Sequence, residues 1–307
     1  MPFTRSVILK LASFSFIENF IRHSILFRPL IHRFVVGNNL DEAFPKIEAL
    51  AKNGFYISLD CLGENVKAEK EADEAVDLYI QTLERIACSP FAPQINISIK
   101  LTECGLDQNE KVAEEHYHKI LEVAQKFNIY VRVDMEGSHY TESTLKLVKR
   151  AFQKYQHTGT VLQSSLCRSL ADAKDLIYSG IEVRLVKGAY LESAEVAYQK
   201  KIEVDQMYLK LAKLLLKEGH HSAIATHDEK ILQELKLFIE KEKISKNQFE
   251  FQMLYGIRRD LQELLKSEGY ELRIYTPFGE SWYPYFTRRL AERPANLFFI
   301  FKSLFKG

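Results

Sequence analysis

Four cysteines, Cys61, Cys88, Cys104 and Cys167, are spread over 307 residues with no CxxC among them. That spacing excludes a disulfide framework and a standard zinc site, and it suits a reducing cytosol. An excess of charge of one sign is missing too: 42 Lys and Arg face 41 Asp and Glu, for a net charge of +1. With no basic surplus to collect phosphates, nucleic acid is not an expected partner. No uncharged apolar run approaches the ~18 residues that a bilayer span requires, so no transmembrane segment is expected. Residues 6–36 come nearest, but Lys10, Glu18, Arg22, Arg28 and Arg33 interrupt them, and no small-residue cleavage site marks a signal peptide. Two readings of this stretch stay open: helices packed on the rest of the chain, or a basic amphipathic surface that touches anionic lipid. A GxGxxG after a strand and a GxxxxGK[ST] loop are also absent, which argues against a Rossmann dinucleotide site and against a P-loop.

What is present is ample apolar material, 46 % of the chain against 27 % charged, arranged as a regular alternation. Short β-rich runs at Phe55–Leu59, Ile95–Leu101, Ile129–Asp134, Thr160–Gln163, Ile181–Val186, Ala223–Thr226, Phe249–Leu254 and Leu272–Tyr275 read as eight strands. Between them lie helix-period stretches at Ala68–Ala87, Glu110–Phe127, Thr141–Gln156, Ser169–Ser179, Val196–Glu218, Glu229–Glu242 and Arg259–Glu268. Repeated βα units imply a parallel sheet, and eight without a break in composition imply one closed (β/α)8 barrel, an α/β TIM barrel with extra N-terminal helices. Residues 1–50 are then an N-terminal helical segment packed on a barrel that spans 51–307.

A barrel places its chemistry at the C-terminal ends of the strands and in the loops that follow. Those positions hold Lys100, Asp134 with Glu136, Gln163, Arg184 with the turn Lys187-Gly188-Ala189-Tyr190, Thr226-His227-Asp228, Gln252 with Leu254, and Tyr275. Any one of them could be an inward polar residue satisfied by a neighbour. Ionisable groups at the same end of most strands point instead to a site, because buried unpaired charge is costly. Beyond the eighth strand, Tyr285, Arg288, Arg289 and Glu292 fall at i, i+3, i+4 and i+7 and share one helix face, which Pro294 terminates. Two adjacent guanidiniums can fork onto a carboxylate; the same spacing also describes a solvated face with an internal Arg–Glu pair. His227 and Asp228 could ligate a metal, but His139 and the His220-His221 pair show no convergent pattern, so none is expected. Lys100 or Lys187 could form a Schiff base, as barrel aldolases do.

The blocks Leu185-Val186-Lys187-Gly188-Ala189-Tyr190, Ala225-Thr226-His227-Asp228, Phe249 to Gly256 and Tyr285 to Asn296, in that order, resemble the proline dehydrogenase family in its short monofunctional bacterial form. Ile97 to Thr102 and Val133-Asp134-Met135-Glu136 fit the same pattern, and the resemblance runs from about residue 36 onward. It implies a distorted barrel that binds FAD without a Rossmann fold and oxidises L-proline to Δ1-pyrroline-5-carboxylate. It further implies electron transfer to a membrane quinone, a separate pyrroline-5-carboxylate dehydrogenase downstream, and a cytoplasmic protein held at most peripherally at the inner face of the membrane.

Carried over residue by residue, the resemblance makes Asp134 and Arg184 the active-site pair. Lys100, Arg288 and Arg289 would bind the proline carboxylate, and Tyr190, Leu254, Tyr275 and Tyr285 would wall the ring. Met135, Gln163, Arg184, Lys187, Gly188, Ala189, Thr226, His227, Gln252 and Glu292 would hold the flavin. Asp134, set among cations, is expected to order them rather than act as a base. The segment from Thr276 to Tyr285, about two residues shorter than in the long bifunctional relatives, is expected to serve as a lid. Two other classes remain as alternatives: a Schiff-base aldolase on the same barrel, and a non-catalytic binding module.

Overall fold

A computed structural model of the chain describes residues 14–24, 27–63, 66 and 68–292. Its centre is a closed barrel of eight parallel strands paired in sequence order. These are β1 (Tyr56–Cys61), β2 (Ile95–Ile99), β3 (Val131–Val133), β4 (Thr158–Gln163), β5 (Glu182–Val186), β6 (Ser222–Ala225), β7 (Phe249–Leu254) and β8 (Leu272–Phe278). Helices α1 (Ser15–His23), α2 (Arg28–Phe34) and α3 (Leu40–Lys52) precede β1. The crossovers carry α4 (Glu69–Ala87), α5 (Glu110–Phe127), α6 (Thr141–Phe152), α7 (Ser169–Tyr178), α8 (Lys201–Glu218), α9 (Glu229–Glu242) and α10 (Arg259–Ser267), and α11 (Trp282–Glu292) follows β8. The expected TIM barrel is therefore present. No helix among the described residues is long and apolar enough to cross a membrane.

Strand alternation explains how a charged site fits inside. Ile57, Ile97, Val131, Val133, Phe251 and Ile274 join the main apolar core with the helices. Their neighbours Ser58, Ser98, Arg132, Glu250 and Arg273 belong to the opposite face, the barrel lumen. There Glu250 accepts two hydrogen bonds from Arg273 Nε, at 2.9 and 3.0 Å, and Arg273 Nη1 donates to the Ile57 carbonyl at 2.9 Å. Burial works to raise the Glu250 pKa, but Arg273, the Gln252 amide and Arg132 outweigh it and hold the carboxyl at about 2. Gly159 makes room for this layer, because a Cβ there would meet the Tyr130 hydroxyl and the Glu182 carbonyl.

Several boundaries differ from the sequence reading, each for a backbone reason. β8 runs past Tyr275 through Pro277 to Phe278, and there the Pro277 carbonyl accepts the Val36 N–H at 3.0 Å. The segment expected to be a lid is thus the end of β8, a turn at Gly279 and the start of α11. Helix α8 begins at Lys201, not Val196, because the preceding loop is tied to the one after β4: Cys167 N–H donates to Val196 O at 2.9 Å and Tyr198 N–H to Ser165 O at 2.8 Å. β3 is limited to three residues, although Asp134 still donates its N–H to Ile99 O at 2.8 Å.

Helix α11 belongs to a second apolar cluster, separate from the barrel core. Trp282, Tyr283, Tyr285, Phe286 and Leu290 pack there with Ile21 of α1 and Ile31 and Phe34 of α2. Trp282 meets Phe286 edge-on at 5.7 Å, and the Arg22 guanidinium lies 5.1 Å from the Trp282 ring centroid. The N-terminal helices are joined to the barrel in turn at Gly256, whose carbonyl accepts from Arg33 Nε at 3.2 Å. Gly256 has φ +73, and a Cβ there would stand 1.7 Å from the Arg33 carbonyl oxygen. Gly54 has a similar φ of +84 but open space around it. Gly256→Ala should therefore lower the melting temperature by about 5 °C or more, and Gly54→Ala by clearly less. Equal effects in thermal melts would show that only the backbone angle matters and that this contact carries no strain.

Candidate active site

Arg184, on β5, spans the barrel lumen. Its Nη1 donates to Asp134 Oδ1 at 2.7 Å, and its Nη2 donates to Ser98 and Ser58 Oγ at 3.0 and 3.1 Å. Tyr275 of β8 donates its hydroxyl to the other Asp134 oxygen at 2.7 Å, while its ring lies 5.2 Å from the Arg184 guanidinium carbon. Arg184 is 3 % exposed. Burial lowers its pKa, Asp134 opposes the shift, and Arg132 beneath adds to it. Both oxygens of Asp134 are thus committed, which suits an ordering role better than proton abstraction.

Lys100, just beyond β2, pairs with Asp60 at 2.6 Å and reaches Glu103 at 3.6 Å. Burial disfavours its charge, yet Asp60 and Glu103 more than compensate and hold its pKa well above the usual lysine value. Tyr190, in the loop after β5, is 46 % exposed. Burial of its hydroxyl raises the pKa to about 12; Glu136 adds to this, and Arg288 and Lys100 oppose it. Arg288 of α11 and Lys100, just beyond β2, thus both act electrostatically on the Tyr190 hydroxyl. The neighbouring Arg289 lies over the Tyr285 ring at 5.3 Å. The side chain of Glu292 and residues Pro294 to Asn296 lie outside the described residues.

A second group of expected residues lines the adjoining strand ends. Lys187 is held between Asp205 at 2.6 Å and Asp228 at 2.9 Å. Gln163 donates to the Glu136 carbonyl at 2.9 Å. Gly188 has φ +110, and a Cβ there would fall 2.2 Å from Ser165 Oγ. The chain's own packing therefore requires glycine at this turn, whatever ligand the turn meets. Ala189 follows it, half-buried. Thr226 Oγ1 accepts the Asp228 N–H at 3.1 Å. His227 Nε2 lies 2.8 Å from the Leu254 nitrogen, so that backbone N–H needs the Nε2 lone pair and leaves the ring proton on Nδ1. Gln252 turns its amide nitrogen to Glu250, and its Oε1 is buried with no partner among the described residues. Met135 is buried in the main core.

Asp60, Glu103, Tyr79, Ser58 and Ser98 are additions that sequence reasoning missed. Asp60 follows directly on the first expected strand, Phe55–Leu59, which ends two residues short of β1 as observed. Glu103 sits within Leu101-Thr102-Glu103-Cys104, a charge in apolar company. Tyr79 reads as an ordinary core residue of α4 and gives no sequence signal. Among the described residues no group of three His, Cys, Asp or Glu side chains could hold a metal ion.

A (β/α)8 barrel with a buried Arg–carboxylate pair in its mouth has the layout of a barrel enzyme. A family model described as "Proline dehydrogenase" matches residues 43–301. The chain is 41 % identical over 274 residues to Proline dehydrogenase 2 of Bacillus subtilis (strain 168), covering 89 % of this chain and 90 % of that one. It is 39 % identical over 281 residues to a proline dehydrogenase of Deinococcus radiodurans, covering 91 % of each. A crystal structure of proline utilization A (PutA) from Bdellovibrio bacteriovorus, inactivated by N-propargylglycine, superposes with a TM-score of 0.80 at 27 % identity. That match covers 86 % of this chain but only 32 % of PutA. The chain belongs to the proline dehydrogenase family, oxidoreductases of proline catabolism.

Removing the carboxylate from the central pair leaves a buried guanidinium without its counter-ion. Asp134→Ala should cost about 3–5 kcal/mol in denaturant unfolding. A loss below about 1 kcal/mol would mean that Ser58, Ser98 and water satisfy Arg184 unaided.

Proposed function

We propose that this chain oxidises L-proline to Δ1-pyrroline-5-carboxylate with bound FAD and passes the electrons to a membrane quinone. A separate dehydrogenase would then consume the product. The observation that carries the reading is the buried Arg184–Asp134–Tyr275 cluster at the barrel mouth, together with the Lys100–Asp60 pair at the ends of the adjoining strands β2 and β1. Residues 1–50 serve in this reading as a helical support for a catalytic barrel over 51–307.

The residues present fit a planar, hydrogen-bonding cofactor. Arg184 Nε is buried with no partner among the described residues, as is Gln252 Oε1. The flavin, when bound, supplies the acceptor for a hydride from C5 of proline. Arg184 presents a cation to it, His227 a donor at Nδ1, and Gln163, Lys187, Gly188, Ala189, Thr226 and Met135 the surrounding wall. Lys100, Arg288 and Arg289 hold the substrate carboxylate, which fixes the far end of a small rigid ring. Tyr190, Leu254, Tyr275 and Tyr285 close around its methylene groups and exclude water. Asp134 holds Arg184 and Tyr275 in register with one another. The aldolase alternative loses support, since a Schiff-base lysine must be neutral whereas Lys100 and Lys187 are each paired with carboxylates.

Purified protein should show flavin absorption that proline bleaches in the absence of an acceptor. Colourless protein that no flavin restores would overturn the reading. Arg288→Met or Arg289→Met should each raise KM for proline by about tenfold or more, since a desolvated charge contact is lost. Unchanged saturation curves in both would remove the clamp.

Tyr275 is expected to exclude 4-hydroxyproline, as its ring leaves no room for an added hydroxyl. Tyr275→Ser should narrow the gap in kcat/KM between the two substrates, whereas Tyr275→Phe, which loses only the bond to Asp134, should not. Equal ratios in native and Ser proteins would take Tyr275 out of the selectivity argument.

A further inference from the structure

One buried ionisable group behind the site lacks a balance of charge. Lys100 Nζ contacts Asp60 at 2.6 Å and Glu103 at 3.6 Å, and these carboxylates are 1 % and 3 % exposed. The buried Tyr79 hydroxyl donates to Glu103 Oε2 and accepts the Lys100 N–H at 3.2 Å. Two carboxylates around one ammonium leave net negative charge on groups almost sealed from water, an imbalance that a proton relieves. The proposed substrate brings a third carboxylate to the same ammonium. We propose that Glu103 is a proton-holding residue of the substrate site: it takes up a proton when a carboxylate binds at Lys100, and Tyr79 sets how readily it does so. This rests on the proline reading above.

Among the described residues, the loop after β1 lies against the Glu103 carboxylate at Gly63, and the titratable groups that act on it come from four segments. β1 supplies Asp60 and Cys61, α4 supplies Tyr79, and the segment after β3 supplies Glu136. Lys100 and Cys104 flank Glu103 in its own loop, and His116 of α5 backs the Cys104 carbonyl at 2.9 Å. Burial pushes the Glu103 carboxyl up to about 7; Lys100 and the Tyr79 hydroxyl oppose this, and Asp60 and Glu136 add to it. Burial raises Asp60 as well, but Lys100 opposes it from the shorter distance. Glu103 is therefore the group that yields. An anion arriving at Lys100 raises the Glu103 pKa further, so binding is strongest below pH 7, where the proton is already in place. Above pH 7 each binding event must draw a proton from solution, and affinity falls as pH rises.

The test is calorimetric titration of the flavin-loaded protein with cyclopentanecarboxylate, which has the ring and the carboxylate but no amine to titrate. Runs in buffers of different ionisation enthalpy count the protons exchanged. The native protein should take up a fraction of a proton near neutral pH and lose about tenfold in affinity between about pH 6.5 and about pH 8.5. Glu103→Gln, locked neutral, should bind with the low-pH affinity throughout and take up none. Tyr79→Phe removes a donor to the ionised carboxylate, so the fall in affinity should move to higher pH. That shift tests the assignment even if Glu103→Gln does not fold. Binding to the native protein without proton uptake, or a Glu103→Gln profile that follows the native one, would overturn the inference alone. No binding to the native protein would overturn the substrate reading, and this inference with it.

Discussion

Arg184 ties together strands that are not neighbours, reaching over β4 to Asp134 and across the barrel to Ser58, and the rest of the mouth depends on it. Arg184 rises from β5 and Asp134 follows β3, while the serines that take the other guanidinium nitrogen stand on β1 and β2. Tyr275 closes the ring from β8. One delocalised cation thereby draws five strand ends toward one point. A lysine could not do so, because a single ammonium lacks the planar fork that serves several acceptors in fixed directions. Two desolvated charges are tolerable here only because each is hydrogen-bonded at short range.

Beneath that layer the lumen is charged again. Glu250 with Arg273, and Arg132 with the Glu182 carbonyl, fill space that other barrels fill with branched aliphatic residues. The arrangement separates two tasks by strand alternation: outward side chains build the apolar core with the helices, and inward ones build a preorganised electrostatic floor. Such a floor needs no reorganisation when a charged ligand arrives, which is the physical advantage of a fixed polar interior over water.

The double-arginine helix is governed by a different force. α11 draws its apolar contacts from α1 and α2, through Phe34, Ile31 and Ile21 against Phe286 and Trp282. Its position over the mouth is thus set by an aromatic cluster outside the barrel core, and the N-terminal helices act at a distance on the residues proposed to clamp the substrate. This packs α1 and α2 against the helix that carries the residues proposed to clamp the substrate.

The sequence by itself determined the repeat. Period-two runs such as Ile97-Ser98-Ile99 and period-3.6 stretches such as Glu110–Phe127 are local patterns, and local patterns survive without knowledge of the fold. It also determined that Lys100, Asp134 and Gln163 sit at one end of the barrel, since chain order fixes which end of a strand a residue occupies, whereas Arg184 and Tyr275 stand in the middle of β5 and β8. Pairing was decided only by tertiary structure. Nothing local shows that Asp134 is shared between Arg184 and Tyr275, that Gly188 is required by Ser165, or that Tyr79 reaches Glu103 from a helix. The start of α8 and the length of β8 were hidden for the same reason: their backbone partners lie far along the chain, in the loop after β4 for α8 and in β1 and the segment at Val36 for β8. Hydrogen bonds and buried charges are settled between segments far apart in the chain, and periodicity within one segment carries no record of them.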